Sequence, residues 1–348
     1  MHFTSDNALG AAPRILDALV RTNAGPTPAY GADASSQRAI AMLQALFETE
    51  CAVFLVATGT AANALALAAV TPPWGAVFCH EDAHVNRDEC GAPEFFGNGA
   101  KLVPLRGAGA KVTPDAVAAK SARHARGVVH QSQPAAITIS QATEAGTTYT
   151  CAEIAALAAT ARAEKLALHM DGARFANALV TLGCTPAEMT WKAGVDILSF
   201  GATKNGALAC EAVLFFNPAH AGSFAYRRKR AGHLVSKGRF LGAQMEAYLE
   251  GGHWLDLARH ANACALLLEE GLKTLPGVRL PWTRGANEVF AMLPRRIDAA
   301  LKAAGAVYYE WQADDVAPGG GEVFARFVTS FATRAEDVEA FLAIARKA

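Results

Sequence analysis

The stretch Ser199-Phe200-Gly201-Ala202-Thr203-Lys204-Asn205 ends an apolar run (195 to 200) in a loop of small residues that holds one lysine. Six further short apolar runs fall at 52 to 57, 76 to 80, 101 to 105, 136 to 140, 166 to 170 and 211 to 216, and Ala- and Leu-rich helical segments lie between most of them. Runs of this length with no polar alternation are strands covered on both faces, and separating them by helices makes the sheet mainly parallel. The expected fold class is therefore α/β, with a seven-stranded sheet flanked by helices. In such sheets ligands bind beyond the carboxyl ends of the strands. Several runs end in Thr-Gly-Thr (58 to 60), His-Glu-Asp-Ala-His (80 to 84), Asp-Gly-Ala-Arg (171 to 174) and Ala-Thr-Lys (202 to 204), which puts the chemistry at that edge.

Past residue 221 the pattern changes to long helices, one basic at its start (226 to 230) and another from His253 to Leu275. Strand-like runs at 287 to 293, 306 to 311 and 322 to 331 follow, with helices near 295 to 304 and 335 to 346. Gly251 and Gly252 punctuate the change. The expected division is a large domain over 1–250 and a smaller C-terminal α+β domain over 251–348.

With 348 residues the chain is long enough for about two domains of roughly 150 residues each. Lys plus Arg and Asp plus Glu both total 32, so the formal charge is zero. That balance leaves no electrostatic footprint for nucleic acid or an anionic membrane, and the basic run at 227 to 230 reads as a solvated face or a subunit contact. No stretch reaches the roughly 18 apolar residues of a membrane span, and the start lacks a signal-peptide pattern. A cytoplasmic protein is expected. The seven cysteines are odd in number and scattered without a Cys-X-X-Cys pair, which fits reduced thiols.

Thr-Gly-Thr-Ala-Ala-Asn (58 to 63) follows a strand and opens a helix, where free amides, the helix dipole and the Thr60 hydroxyl favour a phosphate held against Gly59. Simple capping by Thr58 or Thr60 is the plainer alternative. Asp171 ends an apolar run and needs a cationic partner. A protonated pyridine nitrogen would serve, as would Arg174 three residues on. Lys204 suits a cofactor aldehyde held as a Schiff base. His80 and His84 match the His-Glu-X-X-His string of zinc hydrolases, but that string works on a helix and here it follows a strand.

In order and spacing these motifs resemble the pyridoxal-phosphate-dependent threonine aldolases of the β-eliminating lyase family, of aspartate aminotransferase-type fold. The likeness also takes in Phe-Thr-Ser-Asp-Asn (3 to 7), Ala-Tyr-Gly-Ala-Asp (29 to 33), Asp-Ala-His (82 to 84) and Arg-Phe-Val-Thr-Ser (326 to 330). The resemblance implies pyridoxal 5'-phosphate joined to Lys204, with Asp171 on the pyridine nitrogen and His84 stacked on the ring. It implies phosphate contacts from Gly59, Thr60, Thr203 and Arg239, with Tyr30 added across a subunit boundary. Ser5, Arg174 and Arg326 would hold the substrate carboxylate, and His130 would lie near the substrate hydroxyl. The implied reaction splits an L-3-hydroxy-α-amino acid such as threonine, allo-threonine or phenylserine into glycine and an aldehyde, with His84, His130 or a water as base. A homodimer or homotetramer with shared sites is implied. β-Elimination and serine hydroxymethyl transfer on the same scaffold are the alternatives. Two departures leave fine specificity open: Asn-Gly-Ala follows the lysine, and Gln-Ala-Thr-Glu-Ala-Gly (141 to 146) lacks the family's asparagine and histidine.

Overall fold

The structure, a computed structural model, describes residues 1–313 and 316–348. Seven strands form the large sheet: β1 (Ala52–Val56), β2 (Gly75–His80), β3 (Lys101–Leu105), β4 (Gln133–Ser140), β5 (Ala167–Gly172), β6 (Ile197–Gly201) and β7 (Glu211–Phe215). All seven lie where the apolar runs predict them. Their order is β1-β7-β6-β5-β4-β2-β3, and only β7 runs against its neighbours. The carboxyl ends of the other six therefore share one edge, to which the reversed β7 contributes its first residue, Glu211. Strands β2, β5, β6 and β7 are buried along their whole length, as expected of a sheet covered by helices on both faces.

A second sheet holds β8 (Glu288–Pro294), β9 (Tyr309–Glu310) and β10 (Glu322–Val328) in the antiparallel order β8-β10-β9. Helices Arg295–Ala303, Ala335–Lys347 and the long His253–Lys273 pack on it. The strand expected over 306 to 311 is cut to two residues because the chain's beginning takes its place. Val307 donates its amide to Met1 and accepts from Phe3 at 2.8 Å, and Phe3 in turn accepts from the Val328 amide. Phe3 is buried in the C-terminal core against Phe327 and Phe341. This anchoring brings residues 4 to 7 to the carboxyl edge of the large sheet.

The basic run forms its own short helix, Phe224–Arg230, rather than the start of a long one. Arg227 bonds Ser223, Arg228 bonds the Leu55 carbonyl and lies over Phe54, and Lys229 lies over Tyr30. Among the described residues no helix is long and apolar enough to cross a membrane.

Candidate active site

Lys204 sits in a single turn, Thr203–Asn205, directly after β6. The turn is pinned from three sides. Asn205 donates to Tyr248 Oη and the Trp254 carbonyl, both at 2.8 Å. Glu211 accepts the Ala202 amide at 2.7 Å, and the Thr203 hydroxyl accepts from the Cys210 amide. Burial pushes the Glu211 carboxyl up to about 7. Gly201 allows the turn to pass against the end of β5, since a Cβ there would lie 2.6 Å from the Ala173 carbonyl oxygen. That close approach puts Lys204 and Asp171 on the wall of one cavity of about 500 Å³.

Asp171 is paired within the protein, though not with Arg174. Its Oδ2 accepts from Asn63 Nδ2 at 2.7 Å and its Oδ1 from the Ala173 amide at 3.0 Å. Asn63 lies one turn into the helix Gly59–Val70, and the same Nδ2 also donates to Glu89 Oε1 at 2.9 Å. Glu89 Oε1 is in turn 2.8 Å from His84 Nδ1. A chain of polar contacts thus runs from β5 to the short helix His84–Arg87. The Glu89 hydrogen bond holds the His84 imidazole above its ordinary pKa, and burial raises the Glu89 carboxyl.

Glu144 is a member of the site that the sequence reading passed over. Its Oε1 accepts from the Ser140 hydroxyl at 2.6 Å and from the His84 amide at 2.8 Å. Its Oε2 has no hydrogen-bond partner among the described residues. Burial pushes its carboxyl up to about 7. The signal was present in the sequence as the departure at 141 to 146, where a carboxylate sits just past the end of β4.

A second hollow of about 590 Å³ continues from the first and shares Asn7, His84, Glu144, Arg174 and Lys204 with it. Ser5, Trp282, Glu288, Trp311 and Arg326 line its outer part. Arg174 donates to both oxygens of Asp6, at 2.9 and 3.1 Å, and lies 3.3 Å from Glu288. Burial opposes the charge on Arg174, but those two carboxylates hold it firmly protonated. Burial alone would raise Asp6, yet Arg174 and Lys204 keep its carboxyl below the ordinary range. Arg326 stacks 4.4 Å above the Trp311 ring and donates to the Thr4 carbonyl, and its Nε has no hydrogen-bond partner among the described residues.

Gly59, Thr60 and Thr203 line the inner cavity. Thr58 caps the helix, its hydroxyl accepting from the Ala61 amide at 3.2 Å, so capping and an open helix start coexist. Three expected residues are outside the cavity of this chain. Tyr30 is half exposed on the surface beside Lys229. Arg239 turns instead to the carbonyls of Ala24 and Gly25. His130 is exposed in the loop that enters β4, a strand of eight residues, or about 25 Å, away from the Ser140 end that lines the cavity. His80 ends β2 and bonds the Gly107 carbonyl, so it does not share a helix face with His84. No group of three metal-ligating side chains occurs among the described residues. His169 is a packing histidine, held between Thr138 and Ser199 and pushed down to about 4 by burial.

The inner cavity suits a planar, phosphorylated aldehyde. A Cβ built on Gly59 would meet nothing within 4 Å, so the start of a 12-residue helix opens into free space. Unpaired helix amides and the dipole favour an anion at that point. A lysine and a buried carboxylate lie on the same cavity wall.

The model of the beta-eliminating lyase family matches residues 2–294. A low specificity L-threonine aldolase from a Pseudomonas species is 46% identical over 331 residues, which cover 95% of this chain and 93% of the relative. A protein of the same description from Pseudomonas aeruginosa is 46% identical over 336 residues, covering 97% and 94%. The solved structure of a Leishmania major threonine aldolase superposes with a TM-score of 0.92 at 28% identity, covering 99% of this chain and 98% of that one. The cavity is built at the carboxyl edge from motifs in the family's order, and the match spans most of the sequence: the chain belongs to the beta-eliminating lyase family.

Proposed function

We propose that this protein is a pyridoxal 5'-phosphate-dependent aldolase that cleaves L-3-hydroxy-α-amino acids, threonine and allo-threonine among them, to glycine and an aldehyde. The observation that carries this reading is Lys204 and Asp171 on the wall of one cavity, with the start of the helix Gly59–Val70 opening into it. When bound, the cofactor supplies an electron sink for the bond between Cα and Cβ of the substrate. Lys204 would hold its aldehyde through Nζ. Asp171, fixed by Asn63 and the Ala173 amide, would keep the ring nitrogen protonated. Gly59, Thr60 and Thr203 would hold the phosphate, and His84, fixed by Glu89, would cover the ring.

The substrate carboxylate would be held in the outer hollow by Arg326 and Arg174, with Ser5 beside them. Planar guanidinium groups recognise a carboxylate with paired donors. Stacking on Trp311 keeps the Arg326 fork oriented, and its Nε has no hydrogen-bond partner among the described residues. Tyr30 and Arg239 would act on the cavity of a second copy, and the half-exposed Leu208 at the cavity mouth supports a homo-oligomer, dimer or tetramer. A division into units of 1–250 and 251–348, and a cytoplasmic location, complete the proposal.

Purified protein supplied with pyridoxal 5'-phosphate and L-threonine should release glycine and acetaldehyde. Lys204→Ala should lose both turnover, by about 10⁴-fold or more as with removal of other covalent groups, and the visible absorbance of lysine-bound cofactor. Release of pyruvate and ammonia instead would replace this reading with β-elimination.

A further inference from the structure

Glu144 lies where the inner and outer hollows meet, and none of the roles above uses it. One of its oxygens is held by the Ser140 hydroxyl and the His84 amide, and the other has no partner among the described residues. Lys204 and Arg174 line both hollows with it, and Arg326 lines the outer one, so a substrate joined at Lys204 and held at the arginines would lie along the cleft that Glu144 lines. We propose that the Glu144 carboxylate accepts the proton of the substrate's β-hydroxyl as the Cα–Cβ bond breaks. This assignment rests on the aldolase reading above.

The two histidines suggested by the sequence fit this task less well. His84 has Nδ1 committed to Glu89, and that hydrogen bond raises its imidazole pKa, which favours the proton-bearing form over the form that accepts. His130 is at the far end of β4. Glu144 is set up differently. Burial is the largest influence on it; the hydrogen bonds from Ser140 and the His84 amide oppose the rise, Asp171 at the end of β5 adds to it, and the carboxyl comes to about 7. Arg174 opposes that rise, while Cys79 on β2 and Tyr149 stay neutral because burial raises both. His84, Asp88 and Lys204 line the same hollows, and Glu288 packs on Gly146 two residues away. A general base whose pKa lies near the working pH combines availability with proton affinity.

The step balances. The O–H electron pair becomes the second bond of the aldehyde carbonyl, the proton goes to Glu144, and the Cα–Cβ pair stays with the Cα fragment. That fragment takes up one proton and leaves as glycine, and Glu144 returns its proton to water.

The test sets cleavage against exchange of the glycine α-proton with solvent, a partial reaction that involves no hydroxyl. Glu144→Gln should lower kcat for threonine cleavage by about 10²–10⁴-fold, the usual range for a general base. It should still take up the cofactor and exchange the glycine proton. In the unaltered enzyme, cleavage should fall as pH drops through about 7, and exchange should show no such limb. Infrared difference spectra of cofactor-free protein should show carboxyl groups titrating in that range, Glu211 among them, and Glu144→Gln should lose one of them while the Glu211 band stays. Cleavage by Glu144→Gln at the unaltered rate overturns the assignment, as does the same acid limb in both reactions. If Glu144→Gln fails to bind cofactor, the comparison of the two pH profiles in unaltered enzyme decides. An enzyme that releases no glycine from threonine at all sinks the aldolase reading itself, a result separate from a fully active Glu144→Gln.

Discussion

The two halves of the cleft hold their charges in opposite ways. In the inner half the polar groups are fixed mostly to one another and to backbone: Asp171 to Asn63 and an amide, Glu89 to Asn63 and His84, the Lys204 turn to Glu211 and Asn205. Among the described residues Lys204 itself makes no hydrogen bond, so its amine is left for a ligand. In the outer half the cations are already answered by carboxylates, Arg174 by Asp6 and Glu288 and Arg326 at 4.0 Å from Glu288. On the proposed reading, the inner half would hold the cofactor in a fixed polar frame, while in the outer half a substrate carboxylate would share an existing ion cluster and leave. A buried pair is costly to break because the remaining charge is stranded, so the two halves respond differently to mutation.

Arg174→Met should have the largest effect on folding. It strands Asp6 and Glu288, whose side chains are each only 1% exposed, and breaking a buried pair by removing one partner costs about 3–5 kcal/mol. The loss should appear as a lower thermal midpoint in protein without cofactor. Asp6 also sets a pH signature: its lowered carboxyl stabilises the fold fully above the ordinary carboxylate range, and the contribution is lost as acid titrates through the lowered folded value. Arg174→Met should flatten that acid limb. An unchanged midpoint would show that the outer cluster is not what holds the chain's beginning against the large sheet.

Asp171→Asn probes the inner half, where the expected loss is catalytic. The amide keeps an acceptor for Ala173 but no longer holds a proton on the cofactor ring. Removing one preorganised electrostatic partner typically lowers kcat by about 10²–10³-fold, and the thermal midpoint of the cofactor-free protein should move far less than in Arg174→Met. Equal effects on both measurements in both variants would erase the distinction between the halves.

The inner half was legible in the sequence because each of its parts sits at the end of an apolar run, where periodicity and small-residue loops mark it. All seven strands of the large sheet, and the lining positions of Gly59, Thr60, Asp171, Thr203 and Lys204, follow from that pattern. The outer half joins segments far apart in the chain, 3 to 7, 82 to 88, 282 to 288, 309 to 313 and Arg326, so nothing local announces it. Asp6 and Glu288 were missed for that reason, although Arg174 and Arg326 were found through the family motifs. The chain's beginning hid its own role, because a three-residue bridge to Val307 and Val328 has no periodicity to read. Asn63 and Glu89 were invisible for another reason: each looks like an ordinary helix or loop residue until the fold brings it within 3 Å of a charged neighbour. Arg239 and His130, transferred by motif alone, lie outside the cavity of this chain, and Tyr30, expected to act across a subunit boundary, is half exposed on the surface.

The smallest expected effect is also the most specific to the inner network. Glu89 is 2.8 Å from His84 Nδ1, and that hydrogen bond is the main cause of the raised imidazole pKa. Glu89→Gln keeps an oxygen for Asn63 and removes the charge, so the His84 titration followed by NMR should move down towards the ordinary imidazole value. The sign for stability follows from the direction. A histidine raised in the folded state contributes its full stabilisation below the unfolded pKa and loses it as pH rises through the folded value. Unaltered protein should therefore gain more stability than Glu89→Gln on acidification across that window. Because burial raises the Glu89 carboxyl as well, the variant also removes an unfavourable buried anion, which keeps the net difference small. An unshifted His84 titration in Glu89→Gln would mean that the imidazole is set by Asp171 and Lys204 rather than by its neighbour, and the chain of contacts from β5 to His84 would then be structural alone.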